Sequence, residues 1–160
     1  MRIFLLTLTL GALLTAADKP NYSGTWRLNV AASDFSQSAG KRDPTLQLPA
    51  PESMTRMIEQ KGDHLKYRVE RTLGGKKYEF DVDLTIGSGE PFSSNPAGIV
   101  TAEWSGDALT VATLYNPNRA RSERTEKWSL SADGKTLIDE MAFRSPEGVE
   151  TKVRRVFEKQ

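Results

Sequence analysis

The sequence contains no cysteine, and His64 is the only histidine among its 160 residues. Without cysteine a protein has no disulfide framework, no thiolate nucleophile and no zinc site of the cysteine type. A single histidine also excludes a histidine cluster that would bind a metal ion. We therefore predict no metal and no cofactor, and we assign no catalytic residue.

Long hydrophobic runs are missing as well, apart from a short one near the N-terminus. Residues 3–14 are almost all apolar or threonine, they follow Arg2, and the small residue Ala17 precedes Asp18. A transmembrane helix needs about 20 apolar residues, so this run is too short to span a bilayer. The pattern is typical of a secretory signal peptide, residues 1–17, cleaved near Ala17.

The expected mature chain, residues 18–160, has the length of one domain. An exported protein without disulfides, and without a cysteine for a lipid anchor, is typical of a bacterium rather than of a eukaryotic secretory pathway. We therefore expect a secreted or periplasmic protein with no stable insertion in a membrane.

An excess of charge of one sign is also lacking. The chain has 22 basic and 21 acidic side chains, and removal of residues 1–17 takes away one basic residue, Arg2. The basic pairs 76–77 and 154–155 have acidic neighbours in the sequence. A nucleic-acid-binding surface needs lysine and arginine concentrated on one face. We therefore predict no nucleic-acid partner.

Most segments after residue 20 alternate apolar and polar side chains with a period of two, which is the pattern of a β-strand. Dipeptides suited to tight hairpins separate the segments, at 62–63, 74–75, 106–107 and 133–134. Sequential hairpins predict an up-and-down antiparallel sheet, and closure of the sheet removes its exposed edges. We predict an all-β fold, a single antiparallel β-barrel of about eight to ten strands.

One acidic residue interrupts the predicted apolar inner face. A two-residue turn fixes which residues lie opposite each other, and the turn at 133–134 places Asp139 opposite Trp128. The three-residue loop 146–148 places Asp139 opposite Arg155. An isolated buried charge costs several kcal/mol, so we predict a contact between Asp139 and Arg155. The pair would be a brace, that is, a fixed ion pair that stabilises one end of the barrel, or Arg155 would bind a ligand carboxylate.

Two short motifs at the ends of the chain resemble the lipocalin-like barrels of the calycin superfamily. Residues 22–28 resemble the Gly-x-Trp opening strand of lipocalins and the Gly-Thr-Trp start of intracellular fatty-acid-binding proteins. Residues 155–159 resemble the Arg-x-Tyr-Glu-Lys last strand of the fatty-acid-binding proteins. The resemblance implies a barrel with a possible cavity, closed structurally by Gly24, Trp26 and Arg155, with the arginine packed on the tryptophan.

Inward aromatic side chains are candidates to line a cavity, although in a solid barrel they would only form the core. Two long segments rich in turn-forming residues, 31–51 and 87–98, are predicted to gate the barrel mouth. The residues predicted to contact a ligand are Tyr67, Tyr78, Phe80, Trp104, Tyr115, Trp128, Asp139 and Arg155.

Three functions are compatible with this sequence. The leading hypothesis is a binding protein for a small hydrophobic or amphipathic, lipid-like molecule held in the barrel. The second is a solid barrel that acts through its loops as an inhibitor or an envelope interaction module. The third is an isomerase or cyclase with Glu126 and Asp139 as acid and base. Carboxylates near an arginine are more often a satisfied pair, so we expect no enzyme.

Overall fold

The computed structural model describes residues 19–36, 49–92, 98–115 and 121–160, with the backbone alone for residues 89–92. The predicted signal peptide, most of the first long segment and part of the second lie outside these residues. Within the described ranges all regular structure is β-strand. This part of the chain contains no helix with the length and hydropathy needed to cross a bilayer.

Ten strands follow one another through the described part of the chain. They are β1 (Gly24–Leu28), β2 (Ser53–Lys61), β3 (His64–Leu73), β4 (Lys76–Thr85), β5 (Gly89–Phe92), β6 (Gly98–Ser105), β7 (Ala108–Tyr115), β8 (Ser122–Leu130), β9 (Thr136–Arg144) and β10 (Glu150–Lys159). The sheet order is β4-β3-β2-β1-β10-β9-β8-β7-β6-β5. The predicted all-β, up-and-down antiparallel barrel is confirmed. The barrel is nearly closed, with β4 and β5 at the two edges of the sheet.

The hairpin turns fix the register, as expected from the sequence. Gly74 and Gly75 make the whole β3–β4 turn, with φ angles of 58° and 72° that residues with a side chain rarely adopt. The same turn sets Val69 opposite Phe80. In the β9–β10 loop the backbone N–H of Ser145 donates to the carbonyl of residue 149 at 2.8 Å.

The predicted row across three strands is also confirmed. Asp139 of β9 lies opposite Trp128 of β8 on one side and opposite Arg155 of β10 on the other. All three side chains are buried. The alternation of apolar and polar residues therefore identified the inner face correctly.

Strand β5 lies where the sequence predicted an irregular segment, 87–98, and for Gly89–Phe92 that prediction was wrong. These four residues pair with β6, from Gly89 opposite Thr101 to Phe92 opposite Gly98. Glycine and proline are typical of turns, so the sequence of this segment did not indicate a strand. Pro91 is tolerated because β5 is an edge strand, where one side needs no backbone N–H donor.

The two ends of the barrel differ in how they are filled. We call the end at the turns 62–63 and 106–107 the closed end, and the end at the turns 74–75 and 146–148 the open end. Large buried side chains fill the closed end: Tyr22, Trp26, Leu65, Tyr67, Leu84, Leu109, Trp128, Leu137 and Phe157.

The first and last strands are neighbours, as predicted, with Trp26 opposite Lys159. The cation over the Trp26 ring is Lys159, whose Nζ is 5.2 Å from the ring centroid, and not Arg155 as expected from the motif resemblance. Arg155 is four positions from the residue opposite Trp26, and it packs inside the barrel instead. Gly24 has φ of 140°, and a Cβ there would lie 2.8 Å from Lys159 Cε. The lysine side chain therefore passes over β1 at a position where the strand has no side chain.

Candidate functional site

A cavity of about 370 Å³ opens at the open end of the barrel. Its walls come from the inward faces of β2, β3 and β7–β10, because the ends of these strands meet there. Phe35, Pro49 and Pro51, at the two described ends of the first long segment, also line it. The apolar wall residues from the strands are Met54, Leu73, Met141, Phe143 and Val153.

Beneath the cavity lies a group of four charged side chains, Arg56, Glu126, Asp139 and Arg155, which we call the buried ion cluster. Asp139 Oδ2 is 2.5 Å from Arg155 Nη2 and 3.0 Å from Arg56 Nη2. Glu126 Oε1 contacts Arg155 Nη2 and lies 3.4 Å from Arg56 Nη2. At most 7% of each side chain is exposed. The predicted contact between Asp139 and Arg155 is therefore confirmed, within a larger network.

Arg56 joins the cluster from the far side of the barrel. It comes from β2, whereas the two carboxylates come from β8 and β9, three or more strands away in the sheet. Its guanidinium carbon lies 4.5 Å from the centroid of the Trp128 ring and 4.9 Å from that of Phe157. Aromatic faces attract a guanidinium ion, so these rings hold Arg56 across the interior.

The two carboxyl groups of the cluster have pKa values shifted in opposite directions. Burial acts to raise the pKa of Glu126, but three nearby arginines, with Arg124 the strongest, outweigh it and lower the pKa to about 2. Burial raises the pKa of Asp139 above its usual value, and the charge of Glu126 adds to this, against the opposing effect of Arg155. Glu126 is therefore the carboxylate that stays ionised as the pH falls.

Two more arginines lie in the cavity wall above the cluster. Arg124 Nη2 donates a long hydrogen bond of 3.4 Å to Thr113 Oγ1, and its guanidinium faces the rings of Phe80 and Tyr115 at 5.7 Å and 5.6 Å. Arg71 lies over the Tyr78 ring at 5.4 Å. Burial and then the positive charge of Arg124 lower the pKa of Arg71. Two like charges therefore line the same cavity.

Each of the cavity arginines keeps an unpaired donor. The Nε–H groups of Arg71, Arg124 and Arg155 are buried, and none has a hydrogen-bond partner in the described part of the protein. In native proteins nearly all buried donors are paired. This wall of the cavity can therefore accept a group that is rich in hydrogen-bond acceptors.

The structure places the predicted ligand contacts at different heights in the barrel. Tyr115 and Arg155 line the cavity, and Asp139 lies in the buried ion cluster. Tyr78 and Phe80, on the edge strand β4, pack their rings against the cavity arginines.

The other three predicted contacts lie towards the closed end and are not part of the cavity wall. Trp104 stacks on Tyr22 with ring centroids 6.2 Å apart, and Tyr67 meets Trp128 edge to face at 5.2 Å. Alternation along a strand shows which side chains point inward, but it does not show whether they reach a cavity or the core.

Sequence reasoning missed Arg56, Arg71 and Arg124. A signal for each was present, because counting across the turn 62–63 sets Arg56 opposite Val69 on the inner face. Arg71 follows Val69 by two residues, and Arg124 precedes Glu126 by two, so parity places both on the same face. Arginine at an inward position was not weighed as a cavity residue.

The described residues contain no group of three histidine, cysteine or acidic side chains arranged to hold a metal ion. His64 lies at the protein surface, with Nε2 2.8 Å from Asp83 Oδ1.

The likeness of this chain to known proteins is a likeness of fold. No protein-family model matches the chain, and no curated protein matches it. A solved structure described as REP1-NXSQ fatty acid transporter superposes with a TM-score of 0.61 at 13% sequence identity. The match covers 86% of this chain and 95% of that chain. At this identity the likeness shows a shared barrel architecture.

Proposed function

We propose that the protein binds a small hydrophobic or amphipathic, lipid-like molecule in the cavity at the open end of the barrel. The cavity itself is the observation that carries the proposal. Its volume of about 370 Å³ lies in the range of roughly 300–1,000 Å³ that is usual for small-molecule sites. Its strand walls are largely apolar, with Met54, Met141 and Phe143 among them.

The presence of this cavity favours a binding protein over a solid barrel that acts through its loops. A solid barrel would have side chains packed from one end to the other, as at the closed end here. The barrel likeness to a structure described as a fatty acid transporter agrees with a lipid-like ligand and with a place near the calycin group.

The pairing of both inner carboxylates supports binding rather than catalysis. An acid–base enzyme needs a carboxylate that is available to the substrate, whereas Glu126 and Asp139 are each held by arginine. We assign the Asp139–Arg155 pair the role of a brace. A ligand carboxylate at Arg155 would have to compete with two carboxylates already in contact with it.

We further propose that the protein works outside the cytoplasm, in the periplasm or the exterior of a bacterium, where residues 1–17 would direct it. The first long segment would act as the gate of the cavity, because Phe35, Pro49 and Pro51 lie at its wall. Amide hydrogen exchange should then show increased protection of residues 33–36 and of Ala50, which carries the one backbone N–H of residues 49–51, when ligand is added.

Calorimetric titration with three ten-carbon probes, decanol, decanoate and decyl phosphate, tests the function. We expect wild-type protein to bind at least one probe, and Met141→Trp, which fills the cavity, to bind that probe at least about tenfold more weakly. Met57→Trp is the matched control, because Met57 is on the outer face of β2. Failure of the wild type to bind any probe, or undiminished binding by Met141→Trp, would contradict the proposal.

A further inference from the structure

The charged side chains that the structure describes inside the barrel do not balance. Among these side chains, which exclude those of residues 89–92, four arginines, Arg56, Arg71, Arg124 and Arg155, face the interior or line the cavity, against two carboxylates, Glu126 and Asp139. Both carboxylates are in contact with Arg56 and with Arg155. Two charges of each sign therefore neutralise each other in the buried ion cluster.

Arg71 and Arg124 are the two of these arginines that have no carboxylate in hydrogen-bond contact among the described side chains. No carboxylate of those side chains lies within 4.0 Å of Arg71, and Arg124 shares Glu126 with the cluster only at 4.0 Å, from Nε to Oε1, beyond hydrogen-bond reach. Ring faces hold both guanidinium groups, Tyr78 for Arg71 and Phe80 for Arg124. A ring orients a guanidinium but does not cancel its charge.

Donors without a partner are also found at the cavity wall, in addition to Nε and Nη1 of Arg56 within the buried ion cluster. Arg71 and Arg124 each keep a buried Nε–H without a partner, and Arg155 adds a third at the cavity wall. Guanidinium groups match the oxygens of carboxylates and phosphates in geometry and charge. A neutral head group would supply an acceptor but leave both charges uncompensated, and a single carboxylate would compensate one.

We propose, resting on the function proposed above, that the head group of the ligand carries two negative charges on oxygen and is bound by Arg71 and Arg124. A phosphate monoester has this character near neutral pH, with about −1.5 to −2 charges and three acceptor oxygens. A dicarboxylate has it as well. The apolar tail would pack on Met54, Met141 and Phe143.

Calorimetric titration at pH 8 with decyl phosphate, decylmalonate, decanoate and decanol tests this charge requirement. At least one of the two dianions should bind about tenfold or more tightly than decanoate, because it compensates one more guanidinium charge. The order of the two dianions identifies the source, phosphate or dicarboxylate. Decanoate that binds as tightly as both dianions overturns the proposal.

Substitutions locate the head group. Arg71→Gln and Arg124→Gln should each weaken binding of the preferred dianion by about tenfold or more and leave binding of decanol unchanged. Arg68→Gln is the matched control, since Arg68 lies on β3 like Arg71 but points outward and pairs with Asp81 at 2.8 Å. Should Arg124→Gln fail to fold in circular dichroism, Arg71→Gln decides alone, because Arg71 takes no part in the buried ion cluster.

The two proposals fail in different ways. Equal binding of all four probes, or full dianion affinity in both variants, overturns the head-group assignment and leaves the apolar cavity in place. No binding of any probe overturns the proposed function together with this inference.

Discussion

At the closed end of the barrel large side chains pack against one another, whereas at the open end arginines line a cavity. Tyr67 Oη and Trp128 Nε1 of the closed end also lack a hydrogen-bond partner, so the two ends differ in packing and charge and not in the pairing of every donor. Tyr22 Oη donates to the Trp128 carbonyl at 2.7 Å, and Trp26 Nε1 donates to the Tyr22 carbonyl at 2.8 Å. At the open end the Nε–H groups of three arginines lack partners at the wall of the cavity. The same strands run through both ends. The difference therefore comes from which side chains each strand places on its inner face near one end or the other.

The buried ion cluster lies between the two ends. Breaking a buried ion pair is costly because one charge stays behind in a medium of low polarity. The contrast therefore predicts large losses of stability from the closed end and the cluster, and changes of affinity rather than of stability from the cavity wall.

The largest expected effect is at the closed end. Trp128→Ala should lower the free energy of unfolding by about 4 kcal/mol, because it removes a fully buried ring and leaves a cavity. Phe143→Ala, at the cavity wall and only partly buried, should cost about 1 kcal/mol. Urea denaturation measures both, and equal losses would remove the distinction between the ends.

The next effect concerns the brace. Asp139→Asn should lower the free energy of unfolding by about 3 kcal/mol, since Arg56 and Arg155 then share one carboxylate. Asp81→Asn, in an exposed pair with Arg68, should change it by about 0.5 kcal/mol or less. If Asp139→Asn is instead as stable as wild type and binds decanoate more tightly, Arg155 is an anchor for ligand and not part of a brace.

The pH dependence of stability should trace to Glu126. Its pKa is about 2 in the folded protein against an ordinary value of 4.5, so its ionised form stabilises the fold above about pH 4.5. That contribution, about 3 kcal/mol, is lost as the pH falls from 4.5 to 2. The raised pKa of Asp139 has the opposite sign and favours the fold on acidification.

Urea denaturation of wild type and Glu126→Gln at several pH values measures this contribution. The variant should be less stable at pH 7, and the difference should shrink towards pH 2, where Glu126 is protonated in the unfolded chain and about half protonated in the folded protein. A difference that stays constant with pH would mean that the charge of Glu126 is not what stabilises the cluster.

The smallest effect is expected where β1 meets β10. Lys159→Met removes the cation over Trp26 and keeps most of the aliphatic chain, so it should cost about 0.5–1 kcal/mol in thermal or urea unfolding. Lys127→Met, an exposed lysine on the outside of β8, should have no measurable effect. A larger loss for Lys127→Met would show that surface charge matters more than this closure contact.

The sequence by itself determined the strands, their inner faces and their registers. Alternation has a period of two, and a turn such as Gly74–Gly75 fixes the pairing beside it, so Val69 opposite Phe80 and Asp139 opposite Arg155 could both be counted. These are local properties of neighbouring segments. Strand β5 escaped because an edge strand accepts Pro91, which otherwise marks a loop.

Only the tertiary structure decided which inward side chains meet across the barrel and at what height. Trp128 and Tyr115 both point inward, yet one lies in the core and the other lines the cavity. Arg56 reaches carboxylates on strands with which β2 does not pair, and Lys159 takes the place expected for Arg155 over Trp26. These contacts depend on how the sheet closes and how far long side chains extend, which no local pattern encodes.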